Sequence, residues 1–264
     1  MAELSAEKVG TIKIGDLTVK RLGLGTNRIS DNEQSRAVLK RAVELGIDFI
    51  DTADKYGRSE EIIGQTLAPY PPNVIVATKG GWTENNSPEH LQECIDKSRR
   101  LLKLDHIKLW QLHRADPSVP IEDTMEYLKG QVRAGKIKNI GLSEVSVEQI
   151  KKAREVVPVA SVQNRYNLYE RGHDDVLDYC TQENIAFLPF FPLSSGGMAQ
   201  DAKLKEIAQK YDALPIQIAL AWLLKRSPMM LPIPGTLSTE HLESNLAAAN
   251  IDLSAADFEL LNNL

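Results

Sequence analysis

"DFIDTADKYGRSEEIIGQTL" (residues 48–67) begins one complete unit of the pattern that determines this fold. The run VIVATK at 74–79 completes the unit. An apolar run at 48–52 is followed by a polar turn, a helical segment and the second apolar run. Short apolar runs separated by amphipathic segments are typical of parallel strands that are connected by helices. The unit therefore predicts a strand, a helix and a second strand parallel to the first.

The same unit recurs in both directions along the chain. The other strand candidates are RLGLGT (21–26), IKLWQLH (107–113), IKNIGLS (137–143), VASVQN (159–164), IAFLPFF (185–191) and MLPIPG (230–235). Helical segments lie between them, and a final helix is expected at about 254–263. Eight units in about 250 residues is the count of a (β/α)8 TIM barrel, and an open doubly wound sheet is the alternative. We expect residues 1–264 to form one such α/β domain.

A hairpin is predicted before the first unit. The segment TIKIGDLTVKRL (11–22) has two short strand-like runs on either side of Gly15 and Asp16. Gly followed by Asp between such runs is typical of a tight turn. The N-terminal β-hairpin could then cover the floor of the barrel.

Composition and charge exclude several classes of protein. The chain is 42% hydrophobic and 25% charged, with a formal net charge of −5 and no block of like charges. Nucleic acid and anionic membrane surfaces are therefore not expected partners. No apolar run approaches the roughly 18 residues of a membrane span, and the N-terminus has no apolar signal core. Two cysteines are too few for a disulfide scaffold, and we expect a cytoplasmic protein.

Neither a metal nor a phosphate-binding loop is expected. The five histidines include no His-x-His pair of the kind that binds metals on barrel strands. GQVRAGK (130–136) lacks the Ser or Thr of a phosphate loop and lies between a helix and a strand, which is the reverse of the required order. We expect Gly135 to terminate the preceding helix. LGLGTNR (22–28) lacks the third glycine of the dinucleotide fingerprint.

Four ionisable residues lie at or just after the ends of neighbouring strands. They are Asp51, Tyr56, Lys79 and His113. Each has an ordinary structural interpretation as a turn cap, a surface aromatic, a solvated strand end or a hydrogen-bonded core histidine. The active sites of barrels lie at the carboxyl ends of the strands. Four such residues at one end therefore favour a catalytic site.

The four residue types fit the chemistry of proton transfer. A tyrosine hydroxyl ordinarily has a pKa near 10, and a lysine ammonium about 4 Å away would lower it by about two to three units. Asp51 would keep Lys79 charged, and a neutral His113 beside Tyr56 would orient a carbonyl oxygen. Such a site gives a proton to an oxygen that is becoming an alkoxide, as carbonyl reduction requires.

The chain resembles the aldo-keto reductase superfamily in the order and spacing of six segments, which are DFIDTADKYGRSEEIIGQTL, VIVATKGG, LWQLHRAD, GKIKNIGLSEVS, SVQNRYNLYER and LPIPGTLSTEHLESN. The resemblance implies an oxidoreductase that transfers a hydride between a nicotinamide cofactor and a carbonyl or alcohol. It also implies that Asp51, Tyr56, Lys79 and His113 are the catalytic tetrad, with Tyr56 as the proton donor.

The resemblance also implies a set of cofactor-binding positions. Ser143 and Gln163 match the residues that bind the nicotinamide carboxamide, and Phe190 matches the aromatic residue that stacks on the nicotinamide ring. The remaining matches are Leu193 and Ser195 in the pyrophosphate-covering loop, and Gly235, Thr236, Ser238, His241 and Asn245 in the adenosine-phosphate pocket. Gly25, Thr26 and Asp51 are also expected to contact the cofactor.

Two features depart from the usual pattern of the family. Glu144 stands where members commonly have Asn. Gly235 and His241 stand where members often have the Lys and Arg that hold the 2′-phosphate of NADPH. Hydroxyl groups, a helix N-terminus near residue 238 and His241 can still bind phosphate, so NADPH is favoured over NADH.

The expected substrate is a small-molecule carbonyl compound. The segments SVQNRYNLYERGHDDVLDYC, FLPFFPL and LPIPGT resemble most closely the branch that includes pyridoxal reductases, which implies a pyridoxal-like aldehyde. Some relatives of this fold bind NADPH as regulatory or sensor subunits with little turnover, and this is the alternative function. The intact tetrad argues against it, because a binding subunit does not need Tyr56 beside Lys79. The sequence leaves the oligomeric state open.

Overall fold

A computed structural model of the chain describes residues 4–82 and 85–264, apart from the side chains of residues 195 and 196. The strands are β1 (Thr11–Ile14), β2 (Leu17–Lys20), β3 (Leu24–Gly25), β4 (Phe49–Asp51), β5 (Ile75–Gly80), β6 (Ile107–Leu112), β7 (Ile137–Ser143), β8 (Val159–Gln163) and β9 (Ala186–Phe187). The helices are α1 (Glu33–Glu44), α2 (Ser59–Leu67), α3 (Pro88–Leu102), α4 (Ile121–Arg133), α5 (Val147–Val156), α6 (Asp174–Gln182), α7 (Ala202–Lys210), α8 (Pro215–Arg226), α9 (Thr239–Ala247) and α10 (Ala255–Asn262).

Strands β3 to β9 form one parallel sheet in chain order. Helices connect successive strands, which is the arrangement that the sequence pattern predicts. The segment at 229–235 closes the sheet into a barrel, because it bonds to β9 on one side and to β3 on the other. The closing hydrogen bonds are Phe187 N to Met229 O (2.8 Å), Leu231 N to Phe187 O (2.9 Å), Gly23 N to Pro232 O (3.0 Å) and Gly25 N to Pro234 O (3.4 Å). The fold is thus the expected TIM barrel.

The eighth predicted strand, 230–235, is not regular. Pro232 and Pro234 have no backbone N–H, so they accept hydrogen bonds from β3 but donate none to a ladder. Single parallel bridges connect this segment to its neighbours, at Met230 with Phe187 and at Gly235 with Gly25. The prediction of eight strands was therefore wrong in detail at this position, although the segment lies where the eighth strand belongs.

The predicted hairpin covers the amino-terminal end of the barrel. Strands β1 and β2 pair antiparallel around a turn at Gly15 and Asp16. Ile14 and Val19 are buried in the same apolar cluster as Phe49 at the start of β4. At the turn, the Asn139 amide donates to Asp16 Oδ1 at 2.9 Å. The hairpin therefore closes the floor, and the opposite end of the barrel stays open.

The helices begin and end at the residues that the sequence indicates. Ser87 caps α3 by accepting from His90 N at 3.3 Å, and Pro88 is its first residue. Helix α4 ends just before Gly135, whose φ of +72° confirms that it terminates the helix. No helix in the described part of the chain is long and apolar enough to cross a membrane. The cytoplasmic location stays a prediction.

Helix α2, which follows β4, packs closely on α3 at Gly64. A Cβ atom added to Gly64 would lie 2.2 Å from the carbonyl oxygen of Leu101. We expect Gly64→Ala to lower the free energy of unfolding by about 1–3 kcal/mol, because the two helices must separate to accept the methyl group. Thermal and urea unfolding followed by circular dichroism would measure this change.

Gly130 in α4 provides a matched control, because a Cβ there would have no heavy atom within 4 Å. Gly130→Ala should raise the free energy of unfolding by about 0.5–1 kcal/mol through helix propensity alone. Equal effects of the two substitutions would show that the α2–α3 contact does not constrain residue 64.

Candidate active site

A cavity of about 830 Å³ opens at the carboxyl ends of the strands. Most of the residues that the sequence predicts for the site line it, namely Gly25, Thr26, Asp51, Tyr56, His113, Ser143, Gln163, Phe190, Leu193, Gly235, Thr236, His241 and Asn245. Lys79 is buried and bonded to Asp51, and Ser238 caps α9. The side chain of Ser195 lies outside the described part of the structure. The fold therefore brings together residues that are far apart in the chain.

Asp51 and Lys79 form a buried ion pair between β4 and β5. Lys79 Nζ donates to Asp51 Oδ1 at 2.5 Å and to the carbonyl oxygen of Thr52 at 2.8 Å. Both charged residues are at most 2% exposed. Burial disfavours the ammonium, but the charges of Asp51 and Tyr56 and the hydrogen bonds to them together outweigh it, so the pKa of Lys79 is raised above its ordinary value. Lys79 is therefore a permanent cation.

Two glutamine side chains donate the remaining hydrogen bonds to Asp51. Its second oxygen, Oδ2, accepts from Gln163 Nε2 at 2.9 Å and from Gln111 Nε2 at 3.1 Å. Sequence reasoning missed Gln111. A signal existed, because Gln111 and His113 are two residues apart in one strand-like run and so share a face. The two amides hold the carboxylate and thereby fix the position of Lys79.

Tyr56 lies in the loop after β4, above the ion pair. Lys79 Nζ is 5.2 Å from the centre of its ring. Burial raises the pKa of Tyr56 above its ordinary value, and the opposing effect of Lys79 is smaller. The expectation of a lowered pKa was thus wrong for the protein without a ligand, because the loop and the cavity wall remove the hydroxyl from water. Tyr56 is therefore protonated at neutral pH.

His113 follows β6 and lies edge-on to Tyr56, with 6.0 Å between the ring centres. Burial, with the positive charges of Lys79, Arg114 and Lys55, lowers its pKa to about 2. The imidazole is therefore neutral, as the sequence argument requires. Its Nδ1 atom is buried and has no hydrogen-bond partner among the described residues.

The carboxyl ends of β7 and β8 form the central part of the cavity. Ser143 Oγ accepts from Arg114 Nη1 at 3.2 Å. The amide of Gln163 donates to Asp51, and Phe190 forms part of the opposite wall. Glu144, which departs from the family pattern, is turned away and accepts from the backbone N–H of Arg165 at 2.7 Å. Ser143, Gln163 and Phe190 are thus placed where they could hold a planar ring with an amide group.

The other end of the cavity lies between β3 and the start of α9. Asn245 is buried there, and its Oδ1 atom has no partner among the described residues. The Ser238 hydroxyl accepts from His241 N at 3.1 Å and donates to Glu240 at 2.6 Å. Ser238 is therefore engaged in the helix cap, and its predicted role in binding the cofactor stays a prediction. Thr26 lines the cavity, although its hydroxyl is bonded to Asp51 O at 2.8 Å.

Sequence reasoning missed several of the lining residues, and four of these are a tryptophan or a cation. They are Arg28, Lys55, Trp82 and Arg114. Three of them are cations, and no pattern in the sequence distinguishes them from surface residues. Among residues 4–82 and 85–264, no cluster of His, Cys, Asp and Glu could hold a metal ion. The arrangement instead combines a protonated phenol, a buried cation and a neutral imidazole, which together could give a proton to an oxygen in the cavity.

Comparison with known proteins places this geometry in a family. The sequence profile of the aldo/keto reductase family matches residues 20–264. An uncharacterized oxidoreductase of Schizosaccharomyces pombe is 43% identical, over 98% of this chain and 91% of that protein. Pyridoxine 4-dehydrogenase of Escherichia coli is 34% identical, over 96% of this chain and 98% of the enzyme.

A solved structure gives the same result. The aldo-keto reductase from Klebsiella pneumoniae in complex with NADPH is 26% identical and superposes with a TM-score of 0.88. The superposition covers 96% of this chain and 94% of the other. The profile match covers most of the chain, and the identity to complete relatives is high. The chain therefore belongs to the aldo/keto reductase family.

Proposed function

We propose that this oxidoreductase catalyses the reversible, NADPH-dependent reduction of an aldehyde or ketone to an alcohol, with Tyr56 as the proton donor. The observation that carries the proposal is the buried Asp51–Lys79 pair directly beneath Tyr56, at one end of a long cavity. The family membership and the NADPH complex of a structural relative support the reaction class.

The cavity fits a nicotinamide dinucleotide. Ser143 and Gln163 would hold the carboxamide, and Phe190 would stack on the ring. The unpartnered Asn245 Oδ1 would accept a hydrogen bond from the base at the far end. Gly25 and Gly235 allow β3 and the segment at 229–235 to lie close together at the cavity wall, because a Cβ on Gly25 would lie 2.5 Å from Ile233 O. A bound nicotinamide supplies the hydride that reduces the carbonyl carbon.

Tyr56 donates its hydroxyl proton to the carbonyl oxygen, which becomes the alcohol O–H. The phenolate that remains is stabilised by Lys79, whose charge Asp51 maintains. The neutral His113 donates an imidazole N–H to the same oxygen and orients it. Tyr56 then regains a proton from solvent through the open mouth. A regulatory subunit without turnover has no use for this arrangement.

The preference for NADPH rests on charges at the α9 end of the cavity. Arg28 and His241 line it, and the N-terminus of α9 adds a favourable dipole. Glu240 in the first turn of α9 opposes them. NADPH is therefore preferred by a modest margin, and a pyridoxal-like aldehyde is a suitable substrate class because a relative is a pyridoxine 4-dehydrogenase.

Tyr56→Phe tests the proton donor. We expect kcat for carbonyl reduction to fall by about 100-fold or more, because positioned acid catalysis contributes at least this factor. Cofactor affinity, measured by fluorescence titration on the same preparation, should change little. Tyr169→Phe is the matched control, since Tyr169 is exposed and does not line the cavity. Retention of more than about a tenth of kcat in Tyr56→Phe would remove Tyr56 from the role of proton donor.

Lys79→Met tests the electrostatic role of the lysine. Lys79 lowers the pKa of Tyr56, so its removal raises that pKa further. Alcohol oxidation needs the phenolate, and its pH–rate profile should therefore move to higher pH. Because a lone buried Asp51 would destabilise the fold, the double variant Asp51→Asn with Lys79→Met is measured alongside. The pH–rate profile of the double variant should also move to higher pH, since the effect of Lys79 on the pKa of Tyr56 exceeds that of Asp51. An unshifted profile in both variants would contradict this role.

His241→Arg tests the position of the 2′-phosphate. Guanidinium binds phosphate in a bidentate manner, and each charge-assisted hydrogen bond contributes about 1.5–3 kcal/mol. The KM for NADPH should therefore fall by roughly ten- to a hundred-fold, and the KM for NADH should change little. His106→Arg adds the same charge at an exposed site outside the cavity and should leave both values unchanged. If the two variants behave alike, residues 235–245 do not face the phosphate.

A further inference from the structure

We propose that the substrate carries an anionic group, a carboxylate or phosphate, which Lys55 and Arg114 bind beside Trp82 at the mouth of the cavity. The inference rests on the proposed function, because the carbonyl end of the same molecule must lie at Tyr56. It adds a substrate class and a binding site that the reaction itself does not require.

Trp82 contacts both Lys55 and Arg114 and also packs on the catalytic end of the cavity. Lys55 Nζ lies 3.1 Å from the centre of the Trp82 ring, and the Arg114 guanidinium carbon lies 4.6 Å from it. The indole is itself 4.6 Å from the centre of the His113 ring. Both cations and His113 therefore contact the same indole ring. A substrate with its carbonyl at Tyr56 and His113 would reach this group of residues.

Among the described residues, no carboxylate neutralises the cations at this end. Within residues 4–82 and 85–264, no carboxylate oxygen lies within 4.0 Å of the charged nitrogens of Lys55 or Arg114. Asp51 also lines the cavity, but Lys79 already neutralises it. Glu144 attracts Arg114 at longer range, while its own oxygen bonds to the backbone of Arg165. The described residues on this side of the cavity therefore carry a net positive charge.

Both cations keep hydrogen-bond donors available. Lys55 Nζ donates to no acceptor in the described part of the chain, and only the Nη1 atom of Arg114 is used there. Two positive charges on one indole repel each other, although each is attracted to the ring face. An anion between them would relieve the repulsion and accept charge-assisted hydrogen bonds from both. The arrangement is thus a preformed anion receptor.

The cofactor does not account for these charges. Its phosphates are proposed to lie near Gly235 and His241, where Arg28 is available, whereas Lys55 and Arg114 contact the ring that packs on His113. Clefts lined by one sign of charge raise the local concentration of oppositely charged substrates. Trp82 also offers a flat apolar surface, so an aromatic aldehyde with an anionic substituent fits both features.

The test compares matched aldehydes in steady-state reduction with NADPH. The substrates are 3- and 4-formylbenzoate and the two formylbenzamides, which share size and shape but differ in charge. A further substrate, 4-formylphenyl phosphate, shows whether the site prefers a carboxylate or a phosphate. We expect kcat/KM for the anionic members to exceed that of the amides by about tenfold at low salt. The ratio should fall as ionic strength rises.

Variants of Lys55 identify the source of the preference. Lys55→Gln should lower kcat/KM for the anions by about three- to tenfold. The amides should be unchanged within twofold, because Lys55 is exposed and burial, the largest cause of the lowered pKa of His113, still keeps that imidazole neutral. Lys55→Arg keeps the charge and should retain the preference. Lys40→Gln on the outer face of α1 is the matched control for net charge and should have no effect.

Equal kcat/KM for anions and amides in the wild-type protein, or a preference that survives Lys55→Gln, would overturn the anion site while the proposed function stands. Absence of turnover with every aldehyde would instead contradict the proposed function. Binding of benzoate and benzamide, followed by tryptophan fluorescence, tests the anion site even then. Tighter binding of benzoate that Lys55→Gln abolishes supports the site, and equal affinities contradict it.

Discussion

The buried ion pair of Asp51 and Lys79 is the interaction on which the site depends. Charges in a protein interior are tolerated only when their hydrogen-bonding capacity is satisfied. Lys79 bonds to Asp51 and to Thr52 O, and the second oxygen of Asp51 accepts from Gln111 and Gln163. These side chains come from β4, β5, β6 and β8. Hydrogen bonds to one carboxylate therefore fix the positions of these four strands relative to one another, and Tyr56 lies above that carboxylate.

The sequence predicted the barrel best where strands are long and mostly buried. β5, β6 and β7 lie within one residue of their predicted bounds at either end, because continuous apolar runs specify buried parallel strands. The shorter β3 and β9 and the irregular segment 230–235 were predicted as full strands. Glycines at β3 and prolines in 230–235 limit their ladders to a few bonds. Apolar content alone does not reveal which backbone groups remain able to pair.

The four residues of the proposed tetrad could be identified from the sequence, but their surroundings could not. Asp51, Lys79 and His113 are ionisable residues at the ends of apolar runs, and Tyr56 follows in a loop, so a local pattern indicates them. Lys55 and Arg114 look like ordinary surface cations until the fold brings them to the ring of Trp82. The pKa of Tyr56 illustrates the same limit. The direction in which this pKa shifts depends mainly on burial, whereas the prediction from the sequence considered only the charge of Lys79.

The electrostatics of the cavity connect proton transfer with substrate binding. Burial is the main reason that His113 has a pKa near 2, and Lys79, Arg114 and Lys55 add to the effect. The charges that would bind an anionic substrate thus also help to keep His113 neutral, as its proposed role as a hydrogen-bond donor requires. Lys79 has the opposite effect on Tyr56, since it favours the phenolate. The positive charges therefore favour the forms that the proposed roles require, which are the phenolate of Tyr56 after proton transfer and the neutral imidazole of His113.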